Sequence, residues 1–178
     1  MLITDSRVMI MKGTIVWARG ITQRRTLLAL LAVFVTSTHG TAFAAENAIT
    51  KTAAPNPVLV LSNSDTQPGV GLASFNVLAA DIPQGTLIDP KQLLEIQWNT
   101  TYYPQGIREV VQLCYSRPFS SQEDCREIYP NSSGTLSDFN AQAFGHGSRV
   151  VIYHRVFGGT PRYVNPAGTD SVTFRYRY

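Results

Sequence analysis

Apolar and polar positions alternate in short stretches along residues 58–178, and turn residues separate the stretches. The last stretch is the clearest. Val172, Phe174, Tyr176 and Tyr178 fall on one side of an extended chain, and Thr173, Arg175 and Arg177 fall on the other. Side chains of a strand point alternately to its two faces, so residues 171–178 are predicted to form a half-buried antiparallel strand. Arg149-Val150-Val151-Ile152-Tyr153-His154-Arg155-Val156-Phe157 is rich in β-branched and aromatic residues and predicts the strongest strand of the chain, ended by Gly158-Gly159-Thr160-Pro161.

Further strands are predicted at residues 58–61, 70–78, 93–98 and 107–115. In 93–98, Leu94, Ile96 and Trp98 share a face; in 107–115, Val111 and Leu113 face one way and Val110 the other. Residues 126–129 are the expected partner of 107–115. Ser62-Asn63-Ser64-Asp65 reads as a turn, and Pro83, Gly85 and Pro90 mark 81–90 as a loop. Only 138–144 could hold a helical turn. There is no internal repeat. Short strands punctuated by turns predict an all-β fold, a small antiparallel β-sandwich or barrel-like domain spanning 58–178. Residues 45–57 are rich in Ala, Asn, Thr and Pro without period, and are expected to be a flexible N-terminal lead-in.

Ahead of that domain the pattern changes. Basic residues from Arg19 to Arg25 run into Thr26-Leu27-Leu28-Ala29-Leu30-Leu31-Ala32-Val33-Phe34-Val35, then a polar stretch, then Ala42-Phe43-Ala44. This is the order of a secretory signal peptide, predicted over 1–44 with cleavage before Ala45. The apolar run is about half the roughly 20 residues that a membrane span needs, so no stable span is expected after cleavage.

The leader also changes the charge. The 178-residue chain has a net charge of +3. The leader holds Arg7, Lys12, Arg19, Arg24 and Arg25 against Asp5 alone, which leaves ten Lys and Arg against eleven Asp and Glu. A nucleic-acid binder carries a basic stripe, and the only close basic pair after residue 44 is Arg175 and Arg177. No nucleic-acid partner is expected.

Both cysteines, Cys114 and Cys125, follow the leader. In an oxidising compartment such a pair forms a disulfide, here across a polar, Pro-containing loop. The spacing is not the C-x-x-C of a redox catalyst. Neither His146 nor His154 is spaced from a cysteine as zinc ligands are. No metal and no cofactor are expected.

Catalytic groupings are also missing. There is no G-x-S-x-G, Walker A, dinucleotide fingerprint or H-E-x-x-H. His146 lies in Gly145-His146-Gly147, a surface turn. His154 lies inside the strongest strand, either packed or on the exposed face. Glu123, Asp124 and Glu127 are glycosidase candidates by residue type only. They flank Cys125 and read as a solvated face.

Trp98-Asn99-Thr100-Thr101-Tyr102-Tyr103-Pro104-Gln105-Gly106-Ile107-Arg108-Glu109-Val110-Val111-Gln112-Leu113-Cys114 combines a Trp strand, a Pro/Gly turn and an apolar strand ending in Leu-Cys. Cys125, the polar turn Asn131-Ser132-Ser133-Gly134-Thr135, the apolar strand at 150–157, Gly158-Gly159 and a final strand closing in Tyr176-Arg177 follow in order. From about Gln92 to Tyr178 this set resembles the flagellar protein FlhE family. The resemblance implies a non-enzymatic accessory protein of the bacterial flagellum that acts in the periplasm. It further implies a protein partner in the export apparatus or basal body, whose leakage or assembly the family is linked to. The C-terminal strand with Arg175, Arg177 and Tyr178, together with the disulfide hairpin, is the candidate partner surface, and a monomer is expected. The alternatives are a fimbrial or pilus-associated subunit, which would use the C-terminal strand for exchange, and a small periplasmic enzyme or inhibitor.

Overall fold

The computed structural model describes residues 45–61, 66–158 and 162–178. The expected leader and the turn residues 62–65 and 159–161 lie outside the described residues. The strands are β1 (Glu46–Ala53), β2 (Val58–Val60), β3 (Gly69–Asn76), β4 (Lys91–Asn99), β5 (Arg108–Ser116), β6 (Glu123–Ile128), β7 (Ser133–Leu136), β8 (Ala143–Phe144), β9 (Arg149–Phe157), β10 (Arg162–Val164) and β11 (Asp170–Arg177). Among the described residues the only helical element is a 3-10 turn at Ala79–Asp81, and none is long and apolar enough to cross a membrane.

Two antiparallel sheets form, as the alternating pattern predicts. One has the order β1-β11-β4-β7, with β8 also on β4; the other has the order β3-β9-β5-β6. Their inward faces share one core. Ile49, Leu93, Ile96, Trp98, Val172, Phe174 and Tyr176 come from the first sheet, and Ala73, Phe75, Val111, Leu113, Tyr115, Val150 and Ile152 from the second. Burying a large apolar side chain contributes roughly 1.5–3 kcal/mol, and three of these residues come from the eight-residue β11. A small ribbon, β2 with β10, covers a second cluster of Val58, Val60, Tyr103, Val156 and Val164.

Three sequence expectations are corrected. Residues 46–53, placed in a flexible lead-in, form edge strand β1 and pair with β11 from Glu46↔Arg177 to Ala53↔Asp170. Their one large buried side chain is Ile49, so backbone pairing rather than an apolar face defines the strand. In β4 it is Leu93, not Leu94, that joins Ile96 and Trp98 in the core. Arg175 pairs with Glu95 and Tyr176 with Leu93, leaving Leu94 as the extra residue of a β-bulge that inverts the alternation. Residues 138–144 hold no helix. Two tight turns, closed by Asn140 N–H to Ser137 O and Gln142 N–H to Phe139 O, lead into β8.

β7 falls in the stretch whose composition predicts a polar turn, and its glycine has a specific job. Gly134 lies directly across from Trp98, and a Cβ there would sit 2.6 Å from the indole ring. The missing side chain leaves the indole the room that a Cβ would take.

Cys114 and Cys125 form a disulfide, with an S–S distance of 2.04 Å, across directly paired positions of β5 and β6. The two residues are 11 apart in sequence. Closing so short a loop restricts the unfolded chain, and replacing both cysteines by alanine is expected to cost roughly 2–3 kcal/mol. Urea unfolding of the oxidised protein and the double variant measures this; equal stabilities would contradict it.

Candidate functional site

His154 sits on the inward face of β9, in line with Val150, Ile152 and Val156. Its side chain is 0% exposed. Each ring nitrogen meets a carboxylate: Nδ1 lies 2.6 Å from Glu109 Oε1, and Nε2 lies 2.9 Å from Asp170 Oδ2. Glu109 comes from β5, the strand beside β9. Asp170 opens β11 in the facing sheet. The centre therefore joins the two sheets.

Both carboxylates accept, so the arrangement is satisfied when His154 donates from both nitrogens, which is the imidazolium form. Burial alone would lower the His154 pKa. The hydrogen bonds and negative charge of Asp170 and Glu109 outweigh it and raise the value to about 9. The second oxygen of each carboxylate accepts a backbone N–H: Thr101 donates to Asp170 Oδ1 at 2.8 Å, and Tyr103 donates to Glu109 Oε2 at 3.0 Å. The loop between β4 and β5 is thus fastened to the centre by its main chain.

Tyr103 closes the centre. Its ring meets the imidazole edge-on at 5.6 Å, and its hydroxyl donates to Asn56 O. Burial, followed by the negative charge of Glu109 and Asp170, pushes the phenol well above its ordinary value. The space for this ring comes from Gly71, which pairs with His154 across β3 and β9. A Cβ on Gly71 would lie 2.0 Å from the Tyr103 hydroxyl and 2.9 Å from Asn56 O. Gly71→Ala is expected to destabilise the protein by roughly 1–3 kcal/mol. Tyr103→Phe in the same chain should recover part of that loss. A double-mutant cycle of urea midpoints reads the coupling, and additive losses would count against the packing account.

Next to the centre the same loop lines an open cleft of about 300 Å³, with Tyr102, Pro104, Ile107, Glu109 and Pro130 among its walls. Ile107 is 80% exposed. Arg108 stacks on Phe157, with its guanidinium 4.1 Å from the ring centroid.

The other sequence candidates lie elsewhere. Arg175 spans three strands, bonding Glu95 on β4 at 2.9 Å and Glu46 on β1 at 3.2 Å. Arg177 donates to Gln92. Tyr178 packs against Tyr176 and lies under Lys91. β11 is paired on both sides, by β1 and β4, so the strand considered for exchange is not a free edge. His146 is exposed and meets Phe119 edge-on. Glu123 takes hydrogen bonds from Arg149 and Tyr153, and Asp124 from Arg126 and Gln142. Among the described residues, the metal-ligating atoms that cluster are those of Cys114, Glu123 and Cys125, and both sulfurs are spent in the disulfide.

No family model and no curated protein matches the chain. Solved structures do. The fold is similar to a crystal structure of FlhE. That likeness covers 76% of this chain and 100% of the other, at 18% identity and a TM-score of 0.48. A cryo-EM structure of the semi-empty virus-like particle of the giant freshwater prawn Macrobrachium rosenbergii nodavirus is also similar. It covers 89% of this chain and 94% of the other, at 9% identity and a TM-score of 0.35.

No local sequence pattern assembles the His154 centre, because its members are scattered along the chain. A signal existed. His154 shares a face with Val150, Ile152 and Val156, and Glu109 shares one with Val111 and Leu113. Ionisable groups of opposite sign on the apolar faces of two strands call for each other.

Proposed function

We propose that this chain is a non-enzymatic accessory protein of the bacterial flagellum, exported by its leader to the periplasm. There it acts as a monomer on a protein partner in the export apparatus or basal body. The observation that carries this is the ordered motif set resembling the FlhE family, which falls on framework positions of the fold. Trp98 is on β4, Cys114 and Cys125 bridge β5 and β6, the apolar run is β9, and the aromatic-Arg ending is β11. A protein-binding role also suits the His154 centre, whose groups are engaged with one another and with loop backbone rather than directed at a substrate. The outward face of β11, with Arg175 and Arg177, together with Tyr178 just past its end, is the proposed contact surface.

The test is a deletion strain. Swimming and swarming are measured together with cytoplasmic pH under an acid load. Altered motility or faster acidification, restored by the exported protein, is the expected result. Normal motility and normal pH would overturn the proposal.

A further inference from the structure

The loop that lines the cleft is fastened to a buried ionic centre in addition to its main-chain bonds with Ser132, Asn131, Ala167 and Phe157 and the packing of the Tyr103 ring. Between β4 and β5 the chain places the N–H groups of Thr101 and Tyr103 on Asp170 and Glu109, and His154 bridges those two carboxylates. The charged groups that face His154 are Glu109 from β5 and Asp170 from β11. Tyr103 faces it from the loop, and Gly71 on β3 adds no charge. Arg108 stacks on Phe157, and Arg155 is exposed.

We propose that the Glu109–His154–Asp170 centre is a protonation-dependent latch. With both ring N–H groups present it holds the Thr101–Tyr103 segment of the loop in place, and loss of one ring proton loosens that segment and reshapes the cleft.

The physical step is simple. A neutral imidazole keeps one N–H, so one ring nitrogen turns a lone pair toward a carboxylate lone pair. Two buried carboxylates then share a single ring donor, and a buried unpaired charge is strongly unfavourable. Water relieves this most readily on the Glu109 side. Glu109 keeps a side-chain exposure of 8% and lines the cleft, whereas Asp170 is 0% exposed. Rotation of the Glu109 carboxylate toward the cleft carries Oε2 away from Tyr103 N–H, so that segment of the loop moves with it. The latch does not depend on the flagellar role.

The test uses the purified protein labelled with ¹⁵N and ¹³C and titrated from acid to alkaline pH. At neutral pH both His154 ring nitrogens should carry protons. The ring signals and the ¹³Cα resonances of Thr101 and Tyr103 should shift together with one midpoint near 9, while those of Leu113 and Phe174 stay fixed. In His154→Gln the loop transition should vanish. A ring midpoint near the ordinary value of about 6.5 would overturn the proposal. So would loop carbons that ignore the ring, framework carbons that move with it, or a loop transition that survives in His154→Gln. If that variant does not fold, the titration of the unsubstituted protein decides alone.

Discussion

Replacing His154 by leucine is expected to destabilise the protein by about 3–5 kcal/mol at neutral pH, the range found when one member of a buried ionic group is removed. The leucine fills much of the imidazole volume, so a cavity is a minor part of the loss. What remains is two buried carboxylates, Glu109 and Asp170, without the donor that both were using. Urea unfolding gives the number. Adding Glu109→Gln and Asp170→Asn to the same chain should return part of the stability, because it removes the uncompensated charge. A His154→Leu loss below about 1 kcal/mol would show that the centre contributes little.

The same centre gives the unsubstituted protein a pH dependence of known sign. The folded-state pKa of His154 is raised to about 9. Its contribution is therefore fully present below the unfolded value of about 6.5 and is lost as pH rises through 9. A shift of that size corresponds to stabilisation of order 3 kcal/mol. Local opening of the Thr101–Tyr103 segment would cap the loss below that figure, because the segment can yield before the sheets separate. Stability that is flat from pH 6 to 10 would contradict the arrangement.

Phe174→Ala is the second large effect, at about 3–5 kcal/mol. Phe174 is fully buried at the middle of β11. It stands in a cross-strand row with Ile49 of β1 and Ile96 of β4, and its ring lies 5.6 Å from that of Phe144. Truncation opens a void between three strands and the facing sheet, where close packing limits relaxation. Leu59→Ala is the control. Leu59 is 45% exposed on the β2–β10 ribbon, and its truncation should change stability by no more than about 0.5 kcal/mol. Thermal or urea unfolding separates the two; a small loss for Phe174→Ala would mean that this part of the core can collapse to fill the gap.

The all-β architecture was legible where one face of a strand is buried. β9 and β11 appear in the sequence almost at their final boundaries, because their buried faces leave a period of two. The pattern fails where that condition fails. β1 buries only Ile49 and is held by main-chain pairing, which leaves no trace in side-chain type. The β4 bulge shifts the alternation by one residue, so Leu94 stood in for Leu93. The His154 centre depends on contacts between residues 45 and 16 positions apart, and no local spacing encodes them. Arg175 and Arg177 were correctly placed on the outer face of β11, but their engagement with Glu46, Glu95 and Gln92 needed the neighbouring strands.

β1 and β11 pair although facing residues such as Thr50 and Thr173 are 123 positions apart. A polypeptide delivered N-terminus first presents β1 long before its partner exists. Until β11 arrives, the first sheet lacks the strand between β1 and β4, and both expose edges that β11 will occupy. Such long-range pairing is slow to form, and unpaired edges are prone to wrong association in the meantime. The closing of this fold is thus tied to the arrival of residues 170–177, and a chain halted short of residue 170 would carry β1 to β10 and still be left with an open sheet.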